Sequence, residues 1–180
     1  MSFKICFIGS IPKGDDHRKG WTDWKTRYTQ VLSKLDGVEF VDGDDWKDES
    51  QPQLTFGHDA SMIKSSDLII VDAEKEIGKG IGAGTAQEIL IAKYFSRPVI
   101  AVIPKDTHHR RSNIVFNGSL IGDWIHPFLL STSDLVVERI EDALPWIREY
   151  YQNPKSKRIL DMTIIDEAIA AFKLYQDTNG

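Results

Sequence analysis

Short apolar runs alternate along this chain with longer stretches in which apolar residues return every three or four positions. Ile5 to Ile8 is an unbroken apolar run that ends in Gly9-Ser10, which predicts a parallel strand buried on both faces and opening into a loop. Ile11 to Lys19 has proline, glycine and charge but no period, and reads as loop. From Trp21 the residues Trp24, Tyr28, Val31, Leu32 and Leu35 fall on one helix face, with Gly37 as the stop. Val38 to Val41 predicts a second strand and GDDWKDESQPQ a loop; His58 to Ser66 predicts a helix buried through Ala60, Met62 and Ile63. Leu68 to Val71, closed by Asp72, is a third strand. A glycine run with glycines at 78, 80, 82 and 84 then leads to a helix over Ala86 to Phe95.

Val99 to Ile103, after Arg97-Pro98, is a fourth strand, and Leu135 to Val137 a last one. Between them Lys105 to Ile125 shows little regularity, and HHRRSN reads as a mobile or interface loop. Glu138 to Tyr151 predicts a helix whose main part starts at Pro145. Ile159, Met162, Ile165, Ile169 and Phe172 mark a C-terminal amphipathic helix over about 155–176, either a lid on the core or a subunit contact. Strand and helix in alternation imply a doubly wound α/β domain, Rossmann- or flavodoxin-like, with a parallel sheet covered by helices on both faces. Ligands of such sheets sit at the carboxyl ends of the strands, here Gly9-Ser10, Asp72 and the glycine run.

Composition narrows the partner. At 180 residues the chain has the size of one domain, and a net charge of -5 without a basic run argues against nucleic acid. A single cysteine, Cys6, excludes a disulfide framework or cysteine metal site within one chain, and fits a cytoplasmic setting. The apolar run around it is too short for a membrane span. His108 and His109 are adjacent and cannot easily face one metal, so a zinc site is not expected. Trp124 and His126 would either stack on a base or belong to the core.

The glycine run follows neither the dinucleotide fingerprint nor the P-loop pattern. It permits a backbone close to a ligand, with the N–H groups of the next helix facing it. Glu88 then has two readings. Thr85-Ala86-Gln87-Glu88 is a capping box, with Thr85 as cap and Glu88 bonding back to it. Alternatively, a carboxylate kept ionised in the first helical turn does chemistry with a second acid, for which Asp59 and Asp72 are candidates; the plain alternative for Asp59 is a helix N-cap.

FIGS at the end of the first strand, D-x-x-x-I-x-x-S-D from Asp59 to Asp67, LIIVDA, and GAGTAQEILIAKYFSRPVI together resemble the nucleoside 2-deoxyribosyltransferase superfamily, which includes deoxynucleoside 5′-monophosphate N-hydrolases. The resemblance spans roughly residues 4–104. It implies Glu88 as nucleophile and Asp59 as its acid–base or positioning partner. Gly9, Ser10, Asp72, Gly82, Gly84, Thr85 and Asn117 would be substrate-binding residues. The implied reaction is cleavage or transfer of an N-glycosidic bond through a glycosyl ester, with no metal or redox cofactor. Two positions depart from the pattern: Cys6 stands where a tyrosine is common, and Gly82 where aspartate or serine is. Tyr28 or a side chain after Pro104 would then take the tyrosine's place. The resemblance further implies a homodimer or higher homo-oligomer, with Thr107 to Gly118 reaching a neighbour's site. In the first loop Ser10, Gly14, Lys13 and Arg18 favour a 5′-phosphate while Asp15, Asp16 and Gly82 oppose it, so the unphosphorylated nucleoside is the expected substrate. A non-catalytic nucleotide-binding or sensing protein on the same fold is the reading from another class.

Overall fold

The computed structural model describes residues 2–12, 19, 23–43, 50–73 and 80–179. Five strands form a parallel sheet: β1 (Phe3–Gly9), β2 (Val38–Val41), β3 (Leu68–Asp72), β4 (Val99–Val102) and, last in the chain, β7 (Leu135–Val137). Their order is β2-β1-β3-β4-β7, the flavodoxin-like arrangement. Because side chains alternate across a strand, each strand feeds two cores. Phe3, Ile5 and Phe7 of β1, with Leu68 and Ile70 of β3, pack under α1 (Trp24–Leu32) and α5 (Ile140–Gln152). Cys6 and Ile8, with Ile69 and Val71, pack under α2 (Pro52–Ser65), α3 (Ala83–Tyr94) and α4 (Pro127–Thr132). The sheet is therefore covered on both faces, as the alternation predicts.

Where the structure departs from the sequence reading, local chemistry explains it. From Arg110 on, the segment expected to be irregular is an antiparallel hairpin, β5 (Arg110–Phe116) and β6 (Ser119–Ile125), and only residues 105–109 are turn and bend. Its turn is Asn117-Gly118, with φ of +47° and +80°; both are left-handed, as a two-residue type I′ turn requires. The helix expected from His58 starts at Pro52, a residue suited to the first helical position because it has no N–H to lose. Pro145 lies inside α5 rather than at its start, on the exposed side. The last helix, α6, spans Thr163–Asn179; ahead of it stand a 3-10 turn (Pro154–Ser156) and an irregular segment. Met162, Ile165, Ile169 and Phe172 are exposed.

One buried ion pair ties the sheet edge together. Lys93, at the end of α3, and Asp134, just before β7, are both almost fully buried and bonded to each other. Asp134 also accepts the N–H groups of Val99 (2.7 Å) and Leu160 (2.6 Å), so one carboxylate fastens β4 and the segment leading to α6. Burial lowers the Lys93 pKa, and the Asp134 charge works against that shift. Among the described residues no helix is long and apolar enough to cross a membrane.

Candidate active site

Strand alternation decides which acids share a face. Cys6 points toward α2 and α3, and burial pushes its thiol well above the ordinary range, with the charge of Glu88 the next largest cause. Ser66 lowers it, and Asp42 and Asp59 raise it further. Cys6 is thus a neutral S–H at pH 7, on the sheet face covered by α2 and α3, the two helices that carry Asp59 and Glu88.

Neither carboxylate caps a helix. The N-cap of α3 is Gly82, with φ -71° and ψ 164°, so Thr85 is the third helical residue and is buried. Glu88 stands one turn beyond it, half-buried, and the expected capping box does not form. The expected help from the helix dipole is correspondingly weak, because that effect fades after the first turn. Asp59 lies in the second half of α2, whose N-cap position is Gln51. Its Oδ1 is 3.1 Å from His58 Nδ1, and a Cβ added at Gly43 would stand 3.8 Å from the same oxygen. The end of β2 therefore runs close past Asp59.

Asp72 belongs to the opposite face. It is buried, and the Tyr28 hydroxyl donates to its Oδ1 at 2.9 Å. Tyr28 therefore engages Asp72 on the α1 side of the sheet. Gly9 pairs with Asp72 in register, and a Cβ there would come within 2.7 Å of the Trp24 ring and 3.0 Å of Asp72 Cβ. Only glycine fits that approach. Trp24 Nε1 donates to the Ser10 carbonyl (3.3 Å), so α1 holds the exit of β1 from below. The Ser10 hydroxyl is 4.0 Å from a Cβ built at Gly82, which brings the end of β1 and the start of α3 to the same place. Gly84 is exposed, with open space on its side-chain side. Asn117 is the exposed first residue of the hairpin turn. Lys13, Gly14, Asp15, Asp16, Arg18, Trp21 and the glycine at 78 lie outside the described residues.

The sequence reading missed a histidine cluster. His109 meets His108 and His126 edge-on, with ring centroids 4.8 and 5.5 Å away. Its Nε2 accepts the N–H of Ile81 at 2.8 Å, so the hairpin base anchors the approach to α3. Gly80 is packed so closely that a Cβ would lie 2.9 Å from His108 and 3.1 Å from His109. The meeting of His108, His126 and Gly80 around His109 leaves no mark in the sequence, because the contacts are tertiary. Among the described residues no group of three or more potential ligands is placed to hold a metal.

Burial, and then the neighbouring His108 and His126, lower the His109 pKa to about 4. An unfolded histidine takes up its proton near pH 6.5. Below that pH the unfolded chain binds a proton that the folded chain refuses, so this part of the stability is complete above pH 6.5 and is lost as the pH falls toward 4. Denaturant unfolding at pH 7 and pH 4.5 is expected to differ by up to ~3 kcal/mol from this source. His109→Gln keeps an acceptor for Ile81 without a titrating ring and is expected to flatten the difference; an unchanged pH profile would exclude His109 as its cause.

The fold and the placement of acids at the strand ends define an α/β protein of the doubly wound class. In architecture the chain is similar to a conserved protein from Enterococcus faecalis V583, with a TM-score of 0.58 and 18% identity over 83% of this chain and 99% of that one. It is also similar to a 2-desoxiribosyltransferase from Leishmania mexicana (TM-score 0.54, 18% identity, 82% of this chain and 98% of that one). A 2-deoxyribosyltransferase from Bacillus psychrosaccharolyticus gives a TM-score of 0.50 and 16% identity, over 78% of this chain and 89% of that one. No protein-family model and no curated protein matches the sequence. At these identities the likeness establishes a shared fold.

Proposed function

We propose that the chain cleaves or transfers the N-glycosidic bond of a (deoxy)nucleoside. An oxygen of Glu88 bonds to the anomeric carbon as the bond to the base breaks. The base leaves with the bonding pair and takes a proton delivered through Asp59. Water or a second base then attacks the same carbon and releases Glu88. The observation that carries this reading is that α3 and α2, which bear Glu88 and Asp59, pack on the same face of the sheet over Cys6, with neither carboxylate occupied as a helix cap. Fold likeness to two deoxyribosyltransferases supports it. Gly9, Ser10, Gly82, Gly84 and Thr85 would form the sugar side, and Asp72, held by Tyr28, would act from beneath. Asn117, on the hairpin arm, would serve a neighbouring copy's site in a homo-oligomer.

The unphosphorylated nucleoside is the expected substrate, since the Gly82 position offers no hydroxyl to a phosphate and Asp15 and Asp16 share the first loop with Lys13 and Arg18. Chromatographic detection of released bases, run side by side on deoxynucleosides and their monophosphates, tests both points. A tenfold preference for the monophosphate, about 1.4 kcal/mol in the transition state, that disappears in Lys13→Ala would reverse the substrate assignment. A second reading, a non-catalytic nucleotide-binding or sensing protein, draws on Cys6: a neutral thiol is a weak hydrogen-bond partner and orients a carboxylate poorly. Ligand binding with no base released from any nucleoside or nucleotide would favour it.

A further inference from the structure

Helix α6 leaves its apolar residues in solvent. Every described side chain from Ile165 to Thr178 is exposed. A helix of 17 residues, about 25 Å long, is marginal in water when it stays exposed along its length, because helices draw most of their stability from a covered amphipathic face. The exposed residues are also ordered. Met162, Ile165, Ile169, Phe172 and Gln176 follow one another at intervals of three and four, the a and d positions of a heptad seam. The first four of them are large apolar side chains open to solvent. Single apolar residues on a surface need no explanation, whereas a continuous row marks a contact.

The charges beside this row select its occupant. Asp166 and Lys173 share one flank, the e position of successive heptads, and stand about 10 Å apart along the axis, too far to pair with each other. Glu167, on the outer side, already accepts from Arg158 at 3.0 Å. Laid antiparallel on a second copy, about a two-fold axis passing between Ala170 and Ala171, the row closes on itself. Ile169 meets the partner's Phe172, Ile165 the partner's Gln176, and Asp166 the partner's Lys173, and symmetry makes each contact twice. A parallel pair would instead set the acidic starts, with Asp161, Asp166 and Glu167, side by side and align the two helix dipoles. The root of the helix is fixed for such a contact, since Asp134 accepts the Leu160 N–H at 2.6 Å.

We propose that α6 packs antiparallel on the α6 of a second copy of this chain, across a two-fold axis, with Ile169 and Phe172 at the centre and Asp166 paired to Lys173 at both ends. The contact goes beyond the glycosidic reading and is independent of it, since none of these residues belongs to the Glu88 site. It is also separate from the hairpin that carries Asn117.

Sedimentation equilibrium of the full chain at micromolar concentration is expected to give a dimer or an even multiple of it. Ile169→Glu sets two carboxylates in the seam and is expected to halve that mass while the sheet domain stays folded, because Ile169 is no part of its core. Charge exchange reads the orientation. Asp166→Lys and Lys173→Asp are each expected to weaken the association about tenfold by placing like charges opposite each other at both ends. The double variant, and an equimolar mixture of the two single variants, are each expected to regain the affinity of the unaltered chain, because both restore opposite charges across an antiparallel seam. A chain that is monomeric at these concentrations, a mass unchanged by Ile169→Glu, or single variants that fail to associate on mixing would each overturn the proposal.

Discussion

Glu88→Gln is expected to lower base release a thousandfold or more, about 4 kcal/mol of transition-state stabilisation, with little change in unfolding free energy. The two effects separate because Glu88 lies past the first turn of α3 and is not its cap. The substitution also removes a charge that pushes up the Cys6 thiol, so no stabilising ion pair to that buried group is lost. A slowly turning-over fluorinated nucleoside is expected to leave a glycosyl adduct on the peptide that contains Glu88 and none in Glu88→Ala. Full activity in Glu88→Ala would eliminate the covalent mechanism. A comparable rate loss in Asp59→Asn without loss of the adduct would assign Asp59 to the proton rather than to the sugar.

Asp134→Ala is expected to be the most destabilising single change, at about 3–5 kcal/mol, because it strands the Lys93 ammonium in a site from which water is excluded. It also leaves the N–H groups of Val99 and Leu160 without their acceptor. Pairing Lys93→Met with Asp134→Leu removes the stranded charge and is expected to recover part of the loss, the remainder measuring the two N–H groups. Urea unfolding of the single and double variants gives both quantities. A single-variant loss under about 1 kcal/mol would mean that water reaches Lys93 and that the pair is not the fastening described.

The central sheet was legible because parallel strands buried on both faces must be continuously apolar, and β3 and β4 begin and end within a residue of the apolar runs that predict them. The hairpin was not, since β5 and β6 are polar and half-exposed and carry no such run. The cue that would have found them is Asn117-Gly118 flanked by Ile-Val-Phe and Ser-Leu-Ile, a two-residue turn whose backbone only those residue types enter readily. Helix starts were misjudged for a related reason. Thr85 has a cap's side chain, but burial at the third position of α3 outweighs local propensity, and Gly82 takes the cap with no side chain at all. Of the site, the order of Asp59 and Glu88 along the chain was readable, and the side of the sheet each occupies was not. Asp72 shows the gap plainly: from sequence it is a partner for Glu88, whereas strand parity turns it toward Tyr28.

The hairpin also bears on the order in which the chain assembles. β7 pairs with β4 only after residues 103–134 have run out and back, a closure whose entropy cost grows with the length of free chain. A two-residue turn lets β5 and β6 zip locally, on the microsecond scale of isolated hairpins, well before parallel pairings between distant segments form. Once zipped, its base is shut by His126 N–H donating to His109 C=O at 2.8 Å, and the span left to close shrinks to the few residues on either side. The arm that projects from the folded domain therefore shortens the path to the last strand, and slowing its turn, as at Gly118, slows the docking of β7 rather than the formation of β1, β2 and β3.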